Sequence, residues 1–139
     1  MSTIRAIVVD PGAPERLALR EVAAPVAAPS EALVRVAAIS LNRGEVRRVQ
    51  SAAPGWRPGW DIAGTVEQAA ADGSGPAVGT RVVGLLPVAA WAEVVNIPTE
   101  NLAALPDAVS FAQAATLPVA GLTALYVLET AGSILDRNV

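Results

Sequence analysis

The sequence predicts a mainly β domain, an antiparallel barrel or sandwich, with helices at its C-terminal end. Three observations carry this. Short apolar or alternating runs recur between Gly- and Pro-rich turns over the first two thirds of the chain, and the last third changes to helical spacing with capping signals. A chain of 139 residues with 53% hydrophobic content is also enough for a single core, since a fold of this size buries somewhat under about 70% of its unfolded surface.

The elements follow in order. Thr3 to Val9 is β-branched and apolar and closes on "DPGAPE", a turn cluster that ends a strand. A second short strand is expected near Leu17 to Val22. After the connector "APVAAPSE", the run "ALVRVAAISL" alternates around Arg35 and then turns wholly apolar, as a strand does on entering a core. Asn42 stands at its end as a plausible N-cap for one or two helical turns in "NRGEVRRV", and "QSAAPGWRPG" reads as a long loop. "WDIAGTVEQAAA" is the next strand, "DGSGPAVG" a turn, "TRVVGLL" a strand, and "AAWAEVVNI" another after Pro87. Ser110 and Gln113 have capping-box spacing at the start of a short helix. Pro118 opens a longer helix with Leu122, Leu125, Tyr126 and Glu129 at i, i+3, i+4 and i+7, ended by Gly132. The closing "ILDRNV" is expected to approach another strand. The division is residues 1–109 for the β unit and 110–139 for the helical segment.

Composition removes several classes of function. The chain has no histidine and no cysteine, so disulfides, thiolate nucleophiles and zinc-thiolate sites are excluded, along with the commonest general base. All ten basic residues are arginine, scattered along a chain of net charge -3, and make no stripe suited to nucleic acid. The start reaches Arg5 and Asp10 before a secretory core can form. Residues 108–128 are uncharged and of membrane-span length, but Ser110, Gln113, Thr116, Pro118 and Thr123 interrupt them, so no membrane partner and a cytoplasmic protein are expected. The alanine and arginine bias is a habit of GC-rich bacterial coding.

Four segments in order, "ISLNRGEVRR", "PGWDIAGTVEQ", "VGTRVVGL…AAWAEVVNIP" and "LPDAVSFAQAATLPVAGLTALYVL", resemble the N-terminal catalytic half of the zinc-independent medium-chain dehydrogenase/reductases, of the quinone oxidoreductase-like branch. The resemblance covers nearly the whole chain. It implies a GroES-like β-barrel normally followed by a Rossmann domain that binds NADPH, with "ILDRNV" just before the first Rossmann strand. The only comparable glycine-rich stretch here, Gly73 to Gly79, leads into "TRVV" and reads as a strand-to-strand turn, whereas a dinucleotide loop runs from a strand into a helix N-terminus.

The resemblance also assigns candidate residues, each beside a plainer reading. Asn42 is the candidate catalytic residue: an Asn at this strand end in relatives faces the nicotinamide ribose and the substrate cleft. A helix N-cap alone also explains it. Thr123, with Gly121 allowing close approach, sits where relatives contact the nicotinamide; otherwise it is a mid-helix Thr bonded back to a carbonyl. Trp60 and Asp61 fall where zinc-dependent relatives carry a Gly-His-Glu metal region; here Trp60 reads as a buried wall and Asp61 as a structural hydrogen-bonding group, ahead of a catalytic role for either. Trp56, Trp60 and Trp91 are candidate walls of a flat substrate pocket, or packing residues. Arg43, Arg47 and Arg48 attract an anionic ligand or form a solvated helix face. Tyr126 is expected in the core.

Two functions follow as expectations. One is the catalytic half of a metal-free reductase acting on quinones or α,β-unsaturated carbonyls, inactive without a Rossmann domain from a continuation or another chain, and able to form a homodimer. The other is a non-catalytic β-barrel module for subunit contacts or apolar ligands.

Overall fold

The computed structural model describes residues 2–130 and Gly132, so the expectation for "ILDRNV" lies outside the described residues. Among the described residues there are seven strands and three α-helices: β1 (Thr3–Val9), β2 (Leu17–Ala23), β3 (Glu31–Ile39), α1 (Arg43–Val49), β4 (Asp61–Gln68), β5 (Arg81–Leu85), β6 (Val94–Pro98), β7 (Leu102–Ala104), α2 (Phe111–Ala115) and α3 (Leu122–Glu129). A π-helical turn, Leu117–Gly121, leads into α3. Every strand and helix expected within the described residues is found. The one addition is β7, whose three residues, two of them alanine, carry no alternating signal.

All strand pairs are antiparallel. β1 and β2 form a hairpin, and the other five make one sheet in the order β6-β3-β4-β5-β7. The sheets do not close into a barrel. Among the described residues the backbone of β1 bonds towards the larger sheet through the segment before β6: Ile7 N–H donates to Trp91 O at 2.9 Å, and Glu93 N–H to Arg5 O at 3.0 Å. That segment starts at Pro87, which has no N–H, and passes through Ala89 in the left-handed region (φ 70°), so a continuous ladder cannot extend along it.

One face of the five-stranded sheet carries the main core, with Val34, Ile62, Val66, Val82 and Ile97 almost fully buried, covered by Leu86, Ala90 and Trp91. The opposite face receives α2, whose Ala114 and Ala115 pack on Ala63. Alternation along the strands produces both faces. Ser110 starts α2 as expected, its Oγ accepting the Gln113 N–H at 3.2 Å while Gln113 Oε1 accepts the Ser110 N–H at 3.1 Å.

Tyr126 is not in the core. It is 62% exposed, as are Leu125, Val127 and Leu128 to comparable degrees, because α3 projects beyond the sheet and is apolar on several sides. Among the described residues no helix is long and apolar enough to cross a membrane.

Candidate active site

β3, α1, β4 and the π-helical turn converge on Asp61. This first residue of β4 is fully buried, and a buried carboxylate needs donors. It has three. Ser40 Oγ, just past the end of β3, and Asn42 Nδ2 (2.6 Å) donate to Oδ2, and the Val119 N–H donates to Oδ1 at 2.9 Å. Asp61 therefore ties the end of β3, the start of α1 and the turn before α3 to one point.

Glu45 is the second fully buried acid, and sequence reasoning passed over it. Its Oε2 accepts the Asn42 N–H at 2.6 Å and its Oε1 the Trp60 N–H at 2.7 Å, which locks the long loop onto α1. The available signal was its place three residues after an Asn N-cap, the spacing of a capping box. Burial pushes the Glu45 carboxyl above the ordinary glutamate value; the two backbone N–H bonds oppose this, and the nearby Asp61 charge adds to it.

Asn42 occupies the N-cap position of α1, and its side chain turns to Asp61. One amide hydrogen makes the 2.6 Å bond; the only other acceptor within reach among the described residues, Ser40 Oγ, is 3.4 Å away, a weak contact that a better acceptor can replace. Trp60 lies over α1 so closely that a Cβ on Gly44 would come within 2.5 Å of its ring. The same indole lines an open, largely apolar hollow of about 540 Å³ with Leu85, Leu86, Pro87, Asn101 and Val119.

Gly121 is half-buried in the π-helical turn, and Thr123 is exposed at the start of α3. The hydroxyls of Thr116 and Thr130 bond back to the carbonyls of Gln113 and Val127; among the described residues that of Thr123 bonds to none. The remaining tryptophans are elsewhere. Trp91 is a core residue, 7% exposed, and its backbone closes on Gly59 at φ 111°, where a Cβ would stand 2.4 Å from the Trp91 nitrogen. Trp56 stacks under the Arg48 guanidinium, 5.2 Å from the ring centroid, while Arg43 and Arg47 face outward. The structure thus brings together Asn42, Trp60, Asp61 and the turn carrying Gly121, but it leaves Trp56 and Trp91 out of the hollow.

Residues 28–107, more than half of the chain, match the alcohol dehydrogenase GroES-like domain, and the chain belongs to that family. The trans-enoyl reductase opdC of Penicillium oxalicum is 37% identical over 123 residues, covering 77% of this chain. Among solved structures, human synaptic vesicle membrane protein VAT-1 homolog-like superposes with a TM-score of 0.87 at 30% identity over 94% of the chain. The quinone oxidoreductase of Escherichia coli, solved with NADPH, gives 0.82 at 29% identity over 91%. The chain spans 33% of the opdC sequence, 44% of the VAT-1-like chain and 41% of the Escherichia coli enzyme. The mainly β GroES-like fold expected from the sequence is the one these relatives share.

Proposed function

We propose that this chain is the substrate-binding and catalytic part of an NADPH-dependent reductase of quinones or α,β-unsaturated carbonyls, working without zinc and in company with a Rossmann domain. One observation carries the reading: Asp61 bonds both the Asn42 side chain and the Val119 N–H, and Val119 lines the Trp60 hollow, so Asn42 and the turn that bears Gly121 and leads to Thr123 share one buried anchor.

The residues present suit only the nicotinamide end of the cofactor. Asn42, Gly121 and Thr123 would hold it, whereas the Gly73–Gly79 stretch joins antiparallel β4 to β5 and offers no helix N-terminus to a pyrophosphate. When bound, reduced nicotinamide supplies a hydride. The second amide hydrogen of Asn42 meets the charge that develops on the substrate oxygen, and one such fixed donor contributes roughly 3 kcal/mol to lowering a barrier. Trp60, Leu85, Leu86 and Val119 shield the apolar body of the substrate from water. The proton comes from solvent.

The zinc-free reading rests on donor chemistry. A catalytic zinc takes about three protein ligands, usually His, Cys or acid. The sequence has neither His nor Cys, and each oxygen of Asp61 and Glu45 already accepts an N–H or O–H. Among the described residues no three such side chains cluster.

The test is NADPH oxidation by the whole gene product with an enone and with a quinone. Asn42→Ala is expected to lower kcat/KM by at least about tenfold with the fold retained by circular dichroism. An unchanged rate reduces Asn42 to a cap. Absence of NADPH oxidation with both substrates favours a non-catalytic module for subunit contacts, a reading the exposed apolar side of α3 also suits.

A further inference from the structure

Arg57 lies in the loop between α1 and β4. It is half-buried, and its Nε is enclosed with no acceptor among the described residues. The ion pairs found there, Arg5 with Glu93, Arg20 with Asp10 and Arg35 with Glu67, do not include it. Burial alone holds the guanidinium below the ordinary arginine value. A cation partly withdrawn from water without a counter-charge costs free energy, part of which an anion at its open side would recover.

The side chain faces a hollow of about 250 Å³ that it lines with Glu31, Leu86, Pro87, Ala89 and Asn96. The far wall is fixed: Glu31 Oε2 accepts the Ala28 N–H and Asn96 Nδ2, each at 2.9 Å, while Oε1 takes no donor among the described residues. Asn96 is on β6, an edge strand, so this side of the sheet is open to a ligand. Ala89 is held at φ 70°, a conformation unfavourable for a non-glycine residue, and its N–H donates to Arg57 O at 3.0 Å. The strained residue thus fastens the loop that presents the guanidinium.

We propose that this hollow binds a small carboxylate with a hydrogen-bond donor on the adjoining carbon, an α-hydroxy or α-amino acid. The planar guanidinium receives the carboxylate, and Glu31 Oε1 accepts the hydroxyl or ammonium hydrogen. The negative Glu31 in the same hollow opposes a phosphate dianion and suits a ligand with one anionic group and one donor. The hollow shares Leu86 and Pro87 with the Trp60 hollow but is lined by neither Trp60 nor the Asp61-bonded Val119, so it is a separate site and stands apart from the reductase reading.

The experiment follows the Arg57 Nε–H resonance of the nitrogen-15-labelled full chain during titration with sodium glycolate, glycine and sodium acetate at constant ionic strength. Saturable movement is expected with glycolate or glycine, at least about tenfold tighter than with acetate, as one hydrogen bond to a charged group provides. Which of the two binds more tightly distinguishes hydroxy from amino acid. Glu31→Gln is expected to remove the preference over acetate, and Arg57→Gln to remove saturable binding detected by calorimetry. No saturable movement with any of the three overturns the proposal, as does Arg57→Gln binding like the wild type. Equal affinity for glycolate, glycine and acetate overturns the assigned ligand class. If Arg57→Gln fails to fold, the wild-type resonance still decides.

Discussion

At the scale of single residues, the two buried acids divide the work of the site. Asp61 gathers side-chain and backbone donors from three parts of the chain, so its removal leaves more than its own contact unmade. Asp61→Ala strands the Ser40 hydroxyl, the Asn42 amide and the Val119 N–H, and each orphaned buried donor costs about 1 to 3 kcal/mol. Partial exposure of Ser40 and Val119 lowers their share, so the expected loss is about 3 kcal/mol by urea unfolding. A loss under about 1 kcal/mol would mean that water replaces the carboxylate without cost. Glu45 gives a pH dependence of definite sign. Its carboxyl is raised above the ordinary 4.5 in the folded chain, so folding favours the protonated form. Its contribution is fully present below that ordinary value and is lost as pH rises through the raised one. The stability of the wild type relative to Glu45→Gln is therefore expected to fall as pH rises from about 4.5 towards neutrality; a difference that is flat or grows with pH contradicts the assignment.

Among the elements, β3 and β4 set the site, since Asn42 follows one and Asp61 begins the other. Their close pairing depends on Gly64, where a Cβ would stand 2.1 Å from the Arg35 carbonyl oxygen, opposite Val36 in the ladder. Backbone cannot yield as a flexible side chain does. Gly64→Ala is expected to cost about 3 kcal/mol, at the upper end for overpacking, and to lower the urea midpoint accordingly; a midpoint unchanged from the wild type would show that the ladder can slip. The elements themselves were legible because their signals are local. Alternation marked β3 and β4, turn residues marked the stretch from Asp72 to Gly79, and the Ser110–Gln113 spacing marked α2. Asn42 and Asp61 were legible as residues of interest, but their bond was not, for it joins positions 19 apart through a register that no local pattern encodes. The opening between the sheets was not legible for the same reason: Ala89 is an ordinary residue in the sequence, yet it takes a left-handed backbone and donates its N–H to Arg57 O. Trp91 and Trp56 read alike as aromatic walls, although only the fold places one in the core and the other under Arg48.

At the scale of the whole molecule, α3 decides how the chain behaves alone. Leu122, Leu125, Tyr126, Val127 and Leu128 are all between 43% and 62% exposed, and a helix apolar on several sides is at home only when covered. The hollow formed by Val83, Leu85, Leu102, Leu117 and Leu122 continues the same apolar surface. In the proposed reductase this surface lies against the domain that carries the dinucleotide phosphates. In that proposal the nicotinamide contacts are a few hydrogen bonds from Asn42 and Thr123, while most cofactor affinity comes from the phosphate-binding turn and helix N-terminus. Gly73, Gly75 and Gly79 do adopt positive φ, but they serve the β4–β5 connection, so they cannot substitute for that turn. The 139-residue chain by itself is accordingly expected to show no saturable quenching of its tryptophan emission by NADPH, whereas the same chain joined to a Rossmann domain gains it. Trp60 borders the hollow where the nicotinamide end would lie, which makes emission a sensitive reporter. Clear quenching of the isolated chain at micromolar NADPH would mean that the β unit holds the dinucleotide by itself, and the division of labour proposed here would have to be abandoned.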